Sequence, residues 1–446
     1  MDILVQFSKE LKTYFFIRRK NIILLFIDFC IYFFSIFLIN FGSSYNDLLT
    51  NTFLRFFPFW LLLNYLSNRY HSFVYKNVIR NFIIESTKLL INNLLFFSII
   101  YFSVSFKDNN LLSLMIIKVI VIFIFIFLSQ LIVKIIFFNR KKENFFLIIS
   151  KFNKYLEICS EMKSVSNMKI DYLGYDEILD FKDNTNKYKV IVIENLSLLS
   201  EEQMVKLFKF KEKGLLIMDV FQFYDKFFQR YPPIVFRKEI LINKSFENNR
   251  YLRFKRFGDL MFSILILLIF LPFGLITSFL IYLEDGGPIF YKQVRTGHNG
   301  NKFEVFKFRT MKNNSEKEGP QWSSRNDKRI TKFGKILRLT RVDEIPQLLC
   351  VIRGQMSLIG PRPERPEMEL ILEKEINSYR IRHTIKPGLS GWAQVNYPYG
   401  ASVEDSNNKL SYDLYYINKV SFLLDLIIFF KTIKLVINAN NALSKN

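Results

Sequence analysis

The sequence predicts a membrane protein in three parts: four transmembrane helices, a middle α/β domain, and a C-terminal α/β domain with one membrane-dipping helix. Three observations support this fold class. Apolar runs with few charges dominate the start of the chain, which is typical of transmembrane helices. Short apolar strands then alternate with polar helical stretches, as in domains built on a parallel sheet. The 446 residues, half of them hydrophobic, allow two or three domains.

The N-terminal block, residues 1–143, contains four apolar segments that we interpret as transmembrane helices. They lie near residues 21–41, 52–66, 89–106 and 111–133. Basic residues precede the first segment, separate the second from the third, and follow the fourth. Because cytoplasmic loops are enriched in Lys and Arg, both ends of the block are predicted to be cytoplasmic. Asp28 inside the first segment indicates either a functional site or a contact between helices, since a charge facing lipid is costly.

The charge and the cysteine pattern narrow the function classes. A net charge of +22 suits anionic lipid, phosphate or nucleic acid as a partner. No zinc-finger spacing or RNA-binding signature accompanies it, so we expect membrane lipids and phosphates rather than nucleic acid. Cys30, Cys159 and Cys350 are too scattered for a disulfide framework or a metal site. No signal peptide with a cleavage site is evident near the N-terminus.

The middle region, residues 144–250, is predicted to be a Rossmann-like α/β domain. Its strand candidates are residues 145–150, 170–173, 190–193 and 215–220, and a polar helical stretch covers 201–213. A sheet that binds a dinucleotide normally has a glycine-rich turn after its first strand. The corresponding turn, residues 150–154, contains no glycine. We therefore expect no dinucleotide cofactor and favour a structural or regulatory role for this domain.

The C-terminal region, residues 251–446, opens with an uncharged apolar run at 260–283. The run is long enough to cross a bilayer, but a fifth crossing would place the rest of the chain outside the cytoplasm. Pro272 lies near the middle of the run, where a proline removes a hydrogen bond and bends a helix. We therefore predict a re-entrant helix that bends at Pro272 and returns to the cytoplasmic face, rather than a kinked but complete span.

Residues 340–348 hold two adjacent carboxylates, Asp343 and Glu344, just before Pro346. Proline suits the first position of a helix, so the carboxylates are predicted to lie at a helix start. Unpaired amides and the helix dipole attract phosphate there. One carboxylate could then attack phosphorus while the other binds a metal ion. The alternative is a pair that merely caps a surface helix.

Three further stretches carry charged side chains in restrained positions. A strand predicted at 303–311 puts Lys307 and Arg309 on one face, which suits either a diphosphate or a solvated surface. Two prolines flank Arg362 and restrict its backbone, which suits an anion or a planar base. The apolar stretch 422–437 contains three charged residues, which indicates a helix lying at the membrane interface rather than a span.

Six short motifs then follow one another in a recognisable order. They are KRFGD at 255–259, PIF at 288–290, FKFRTM at 306–311, DEIPQL at 343–348, SLIGPRP at 357–363 and PGLSGWAQV at 387–395. Across residues 251–440 this set resembles the catalytic domain of the bacterial sugar transferases, the monotopic polyprenyl-phosphate phosphoglycosyl transferases. The four apolar segments followed by an α/β domain are similar to the long members of the family, which initiate exopolysaccharide, capsule or O-antigen assembly.

The resemblance implies an enzyme that works in two steps. A nucleotide diphosphate sugar, usually a uridine one, gives its sugar 1-phosphate to polyprenyl phosphate. Asp343 is implied as the nucleophile that forms an aspartyl phosphosugar intermediate, and Glu344 as the ligand of a Mg²⁺ cofactor. Pro272 matches the bend of the family's re-entrant helix. The catalytic domain is then expected on the cytoplasmic face of the bacterial inner membrane, in a multi-pass protein.

The resemblance also assigns substrate-binding positions. Lys307 and Arg362 match positions tied to the active site. Arg309 and Arg341 are expected phosphate contacts on charge grounds, and Asp425 matches a recurrent acidic position that we group with them. The oligomeric state is open, and the N-terminal block and the middle domain are the regions where copies of the chain would meet.

One stretch departs from the family pattern. Some members carry a glycine and a basic residue after the position of Asn396, whereas this chain has Tyr-Pro-Tyr-Gly at 397–400. The sugar specificity therefore does not transfer by resemblance. The main alternative function is a membrane-bound, metal-dependent glycosyltransferase that moves sugar without phosphate, although the sequence lacks the Asp-x-Asp site common in such enzymes.

Overall fold

The structure is a computed structural model in two compact units, Met1–Asp219 and Val220–Asn446. It describes residues 46–66, 145–151, 169–181, 188–213, 215–233, 250–312, 327, 329–376, 378–398, 400 and 402–437, together with the helical positions 26, 28–30, 32–33, 91–92, 94–96, 98, 120, 124 and 127–128.

In the first unit, helix α1 spans Asn46–Leu66 and covers the second apolar segment. Trp60 on this helix is completely buried. The side-chain amide of Asn92 donates to the side-chain oxygen of Asn64 at 3.3 Å and joins a second helical stretch to α1. Asp28 is also completely buried by protein. The other three predicted transmembrane segments lie mostly outside the described residues, and the four-helix block stays a prediction.

The middle of the chain forms a four-stranded parallel sheet of order β2-β1-β3-β4. Its elements are β1 (Phe145–Ile149), β2 (Lys169–Leu173), β3 (Tyr188–Ile193), α2 (Glu201–Glu212) and β4 (Leu216–Asp219). The four predicted strands and the helix are thus confirmed within about two residues. Leu207 and Phe210 of α2 lie one turn apart and pack into the same core as Leu147 and Ile191 of the sheet.

The turn after β1 lies at the carboxyl end of this sheet. There the backbone N–H of Lys151 donates to the carboxylate of Glu194 at 3.0 Å. In nucleotide-binding sheets the amides of this turn bind a phosphate. In this chain the carboxylate of Glu194, just after the neighbouring strand β3, accepts a hydrogen bond from one of these amides, that of Lys151.

The second unit begins with helix α3 (Val220–Phe223) and a π-helical turn at Tyr224–Phe228. The sequence places the domain boundary between residues 250 and 251. Tyr231, however, is completely buried and shares a core with Leu414 and Trp392. Residues 220–231 therefore pack with the later part of the chain, ahead of the predicted boundary.

Helix α4, Arg250–Asp285, continues through Pro272 and includes the apolar run predicted to be helical. Among the described residues it is the only helix long and apolar enough to cross a membrane, over Tyr251–Asp285. Only 11% of its most apolar stretch is buried by protein. Apolar surface that protein does not cover is typical of a helix embedded in lipid. The re-entrant path itself stays a prediction.

The remaining elements build the globular part of the second unit. They are the antiparallel strands β5 (Phe290–Thr296) and β6 (Lys302–Phe308), then α5 (Lys332–Thr340), α6 (Leu348–Ile352), β7 (Ser357–Ile359), α7 (Pro366–Glu375), β8 (Gly388–Ser390), α8 (Trp392–Asn396), α9 (Val403–Lys419) and α10 (Phe422–Ile437). The prediction of a strand at 303–311 is wrong at its end. The ladder stops at Phe308 because the chain then turns so that the carbonyl of Thr310 accepts from the N–H of Thr331.

The N-terminal end of α4 is fastened to this globular part by charged side chains. Arg256 donates to the backbone carbonyls of residues 351 and 352 at 2.6 and 2.8 Å. Asp259 is buried and accepts from the hydroxyl of Ser357 at 2.7 Å. Such charge-assisted hydrogen bonds are stronger than neutral ones and hold the start of the helix in place.

The C-terminal end of α4 is fastened to the same globular part. Ile281 is buried in a small core with Phe308 and Leu337. Asp285 forms an ion pair with Arg309 just beyond β6. Both ends of the helix therefore contact one globular body, while the apolar middle of the helix is exposed.

Candidate active site

The two adjacent carboxylates lie on a short 3₁₀ helix, Val342–Gln347, between α5 and α6. Arg341 precedes it in the left-handed conformation, with φ of +59°, which ends α5 and lets a new turn start at Val342. The prediction that Pro346 is the first residue of a helix is therefore wrong, because the helical turn begins four residues earlier. The turn begins there because Arg341 is left-handed, and no local sequence motif predicts a left-handed arginine.

Asp343 and Glu344 are both buried, but their surroundings differ. Among the described residues no group hydrogen bonds to the buried Oδ1 of Asp343. Burial, together with the neighbouring charge of Glu344, raises the pKa of Asp343 to about 6. Glu344 would also resist ionisation in this buried place, but Arg362, Lys307 and Arg341 hold its pKa well below the usual range. The pair therefore combines one satisfied carboxylate with one whose buried Oδ1 accepts no hydrogen bond from the described residues.

Three cations surround the Glu344 carboxylate. Nη2 of Arg362 lies 2.6 Å from Oε1 and Nη1 lies 3.4 Å from Oε2. Nζ of Lys307 lies 3.2 Å from Oε1, and Nη1 of Arg341 lies 3.5 Å from Oε2. Burial lowers the pKa of Lys307 to about 8 in spite of the nearby carboxylates. Five of the predicted site residues, Asp343 included, thus come together from strand β6, from the 3₁₀ helix with the residue before it, and from the loop after β7.

Two backbone hydrogen bonds between residues 360–361 and 388–390 hold the Arg362 loop, and we call this close contact the glycine crossing. The N–H of Gly360 donates to the carbonyl of Ser390, and the N–H of Gly388 donates to the carbonyl of Pro361, both at 2.8 Å. A Cβ on Gly388 would lie 2.0 Å from the nitrogen of Gly360, so no side chain fits. The SLIGPRP and PGLSGW motifs are therefore one structural feature: the second motif holds the loop that presents Arg362 to Glu344.

Sequence reasoning missed two residues that support this loop. Nη2 of the buried Arg382 donates to the carbonyl of Arg362 at 2.6 Å and lies 3.1 Å from Oδ2 of Asp413. Asp413 is itself buried, and burial raises its pKa to about 6 even beside Arg382. These residues lie in separate segments of the chain, and no local spacing connects them. The apolar face of α9 is the only signal that could have indicated that Asp413 is buried.

Three predicted residues lie away from the Glu344 cluster. Arg309 pairs with Asp285 at the end of α4, since it falls beyond the end of β6. Asp425 accepts from Lys255 at 2.5 Å and from the hydroxyl of Tyr416 at 2.7 Å, so its contacts join α10 to the start of α4. Pro272 lies in the exposed apolar part of α4. Their predicted roles in substrate binding and in helix bending stay predictions.

The comparisons with known proteins match the part of the chain that contains this cluster. The family model for bacterial sugar transferases matches residues 250–439. The chain is 41% identical over 192 residues to the UDP-N-acetylgalactosamine-undecaprenyl-phosphate N-acetylgalactosaminephosphotransferase of Aeromonas hydrophila, covering 43% of this chain and 45% of the relative. It is 40% identical over 194 residues to the undecaprenyl-phosphate glucose phosphotransferase of Komagataeibacter xylinus, covering 42% and 36%.

A shorter relative is matched along most of its length. The chain is 37% identical over 185 residues to the exopolysaccharide production protein PSS of Rhizobium leguminosarum bv. phaseoli, covering 40% of this chain and 92% of the relative. These matches show that the chain belongs to the bacterial sugar transferase family. The match spans less than half of the length of the Aeromonas and Komagataeibacter proteins.

Proposed function

We propose that this protein transfers sugar 1-phosphate from a UDP-sugar to a polyprenyl phosphate through an aspartyl phosphosugar intermediate. The observation that carries the proposal is the contrast within the carboxylate pair. Asp343 Oδ1 is buried without a hydrogen-bond partner among the described residues, beside a Glu344 that three cations neutralise. Relatives named for UDP-N-acetylgalactosamine and undecaprenyl phosphate support the choice of substrates.

In the first step the Asp343 carboxylate attacks the phosphorus that bears the sugar. The bond from that phosphorus to the bridging oxygen of the diphosphate breaks, and nucleoside monophosphate leaves. In the second step a phosphate oxygen of the polyprenyl phosphate attacks the same phosphorus, which releases the Asp343 carboxylate and forms the polyprenyl diphosphate sugar. Covalent catalysis of this kind lets a soluble donor and a lipid acceptor use one site in turn.

The charges around the site suit both steps. Phosphoryl transfer depends on positioning and on neutralisation of phosphate charge more than on a strong acid or base. Lys307, Arg341 and Arg362 are held beside the nucleophile by Glu344. With a pKa near 6, Asp343 is ionised at neutral pH and is more basic than an ordinary aspartate. Asp343 is therefore the better nucleophile of the Asp343–Glu344 pair, because a more basic carboxylate donates its electrons more readily.

Mg²⁺ is the cofactor that we propose for Glu344. Among the described residues no three His, Cys, Asp or Glu side chains are grouped to hold a metal ion. Mg²⁺, however, commonly binds one or two carboxylates together with substrate phosphates and water. Two oxygens suit this mode: Glu344 Oε2, whose contacts with Arg362 and Arg341 are long at 3.4 and 3.5 Å, and Asp343 Oδ1, a buried acceptor without a hydrogen bond among the described residues. When bound, the ion would supply positive charge beside the phosphates of the donor.

For the membrane arrangement we propose a re-entrant α4, with the catalytic part on the cytoplasmic face of the bacterial inner membrane. The contacts of both helix ends with one globular body support this arrangement, because a spanning helix would separate its ends by the bilayer. Membrane lipids would cover the exposed apolar middle. The four-span block, the Rossmann-like character of the parallel sheet and contacts between copies of the chain complete this proposal. The product would enter exopolysaccharide, capsule or O-antigen assembly.

The nucleotide product separates this function from its alternative. Membranes containing the full chain are incubated with undecaprenyl phosphate, Mg²⁺ and either UDP-N-acetylgalactosamine or UDP-glucose, and the nucleotide released is identified by chromatography. UMP together with a lipid diphosphate sugar is the expected result. Release of UDP with a lipid monophosphate sugar would instead identify a glycosyltransferase that moves sugar without phosphate.

A further inference from the structure

A short segment that precedes the family match is built into the catalytic unit. We call residues 220–231 the anchor segment. The family model begins at residue 250, yet Phe223 and Tyr231 are completely buried and Tyr224 nearly so. The ring of Tyr231 stacks on that of Phe221, with centroids 4.3 Å apart and planes within 11°. The anchor segment is thus a packed element and not a loose linker between domains.

The anchor segment holds the indole of Trp392. The carbonyl of Gln229 accepts a hydrogen bond from Nε1 of Trp392 at 2.8 Å. Gln229 has a φ of +53°, a left-handed conformation that costs a residue with a side chain free energy and is kept when surrounding contacts enforce it. The ring of Tyr231 lies 5.3 Å from that of Tyr415, which in turn stacks on Trp392 at 6.0 Å. Lys431 covers the Trp392 ring, with Nζ 4.2 Å from its centroid.

Polar contacts fix the anchor segment to helix α9. The N–H of Tyr231 donates to the carbonyl of Ser411 at 2.8 Å. The hydroxyl of Tyr231 donates to Asp225 and accepts from the side-chain amide of Asn418 at 3.2 Å. Lys419 forms an ion pair with Asp225 at 3.2 Å. These directional contacts involve both backbone and side chains. They therefore fix one position of the segment on α9, which apolar packing alone would not do.

Trp392 directly follows Gly391, whose backbone packs against Gly360 in the glycine crossing that holds the Arg362 loop. A Cβ on Gly391 would lie 2.3 Å from the carbonyl oxygen of Gly360, so the two backbones are in direct contact. From Gly360 two residues lead to Arg362, whose guanidinium faces Glu344 at 2.6 Å. A displacement of Trp392 would therefore move a backbone that touches the loop presenting Arg362, because close-packed contacts transmit small shifts.

We propose that the anchor segment is part of the catalytic unit and that Tyr231 is a positioning residue, which holds Arg362 against Glu344 through Trp392 and the glycine crossing. The kinetic part of this proposal rests on the proposed function. Its structural part, the protection of the glycine crossing by Tyr231, does not depend on which reaction the protein catalyses.

The test compares two substitutions of Tyr231 in the full-length chain. Tyr231→Ala removes the ring that contacts Tyr415, whereas Tyr231→Phe keeps the ring and removes only the hydroxyl. Tyr224→Phe is the matched control, because it also removes a buried tyrosine hydroxyl from the anchor segment. We expect Tyr231→Ala to raise the KM for the UDP-sugar about tenfold with kcat within about threefold, and Tyr231→Phe to restore most of the wild-type value.

A double-mutant cycle with Arg362→Ala tests whether Tyr231 acts through Arg362. If it does, Tyr231→Ala has little further effect on KM once Arg362 is absent, because the two changes remove one interaction. Strictly multiplicative effects of the two substitutions would overturn the proposal. So would a Tyr231→Ala variant with the donor KM of the wild type.

Hydrogen exchange supplies a readout that needs no activity. The amides of Gly360 and Gly388 are hydrogen bonded across the crossing, and we expect peptides that contain them to exchange faster in Tyr231→Ala than in Tyr224→Phe. Equal exchange would contradict the proposal even if the protein proved to have another activity. If Tyr231→Ala does not accumulate, Trp392→Phe replaces it, since phenylalanine has no N–H for the Gln229 carbonyl. The same faster exchange is then expected, and wild-type exchange would overturn the proposal.

Discussion

Arg362 faces Glu344 with both terminal nitrogens of its guanidinium, at 2.6 Å from Oε1 and 3.4 Å from Oε2. The two residues are 18 positions apart in the chain, and the Glu344 side chain is only 9% exposed. A planar guanidinium fits a carboxylate in this way, whereas an ammonium does not. Arg362, Lys307 and Arg341 together satisfy Glu344, so the adjacent Asp343 is the carboxylate that we propose as the nucleophile.

The first prediction concerns the geometry of this pair. Arg362→Lys keeps the positive charge but loses the two-pronged contact, so we expect kcat/KM for the donor to fall about 10- to 100-fold. Arg380→Lys is the control, since the side chain of Arg380 is 77% exposed and lies at the limit of ion-pair distance from Glu373. Steady-state kinetics in membranes measures both. Equal activity of the two variants would show that charge alone is needed at position 362.

A second prediction follows from the two titrating groups of the site. Protonation of Asp343 near pH 6 removes the nucleophile, so kcat/KM should fall as the pH drops below about 6. Loss of the Lys307 charge near pH 8 removes a cation, so kcat/KM should also fall above about pH 8. The acidic limb belongs to the coupled Asp343–Glu344 pair rather than to one carboxylate.

Lys307→Arg distinguishes the origin of the alkaline limb. A guanidinium does not titrate in this range, so the substitution should move the limb beyond the measured pH values and leave the acidic limb in place. The measurement is UMP release in the first half-reaction, without the lipid acceptor, whose own phosphate titrates. An alkaline limb that is unchanged in Lys307→Arg would assign it to another group.

The third prediction concerns the metal. Glu344→Gln keeps the size of the side chain but removes the charge that the three cations share, so activity should fall and the Mg²⁺ concentration for half-maximal rate should rise about tenfold or more. Glu367→Gln, at an exposed position on α7, serves as the control. A Mg²⁺ titration of each variant gives the result. An unchanged midpoint in Glu344→Gln would argue against this residue as the metal ligand.

The glycine crossing gives a prediction about stability. In Gly388→Ala the new Cβ would meet the nitrogen of Gly360, and we expect the free energy of unfolding to fall by about 2 kcal/mol or more. Gly258→Ala is the matched control in helix α4, where nothing lies within 4 Å of the added Cβ. Alanine is the better helix former, so this variant should be neutral or more stable by up to about 1 kcal/mol. Thermal unfolding of detergent-purified protein compares them, and equal midpoints would contradict close packing at Gly388.

The parts of the molecule that the sequence predicts are those with a local signal. The strands of the middle sheet follow from short apolar runs. Lys307 and Arg362 stand out as basic residues in restrained motifs, the family resemblance ties them to the active site, and their contacts with Glu344 come from the structure. The two prolines that flank Arg362 are the local signal there.

The missed features depend on contacts between distant segments. Arg382 and Asp413 are brought together by packing between the 3₁₀ helix Tyr379–Thr384 and helix α9, and no spacing in the sequence links them. The start of the 3₁₀ helix depends on the left-handed Arg341, and Arg309 lies outside β6 because Thr310 bonds to Thr331 instead of continuing the ladder. In each of these cases, contacts with other parts of the fold outweighed the local sequence pattern.

The most direct test of the account is the covalent intermediate on Asp343. The full chain is incubated with UDP-sugar carrying ³²P in the phosphate next to the sugar, without lipid acceptor, then quenched and digested for mass spectrometry. We expect label on the peptide containing Asp343, no label in Asp343→Asn, and normal labelling in the control Asp176→Asn at an exposed position. Label on any other residue, or full turnover by Asp343→Asn, would contradict it.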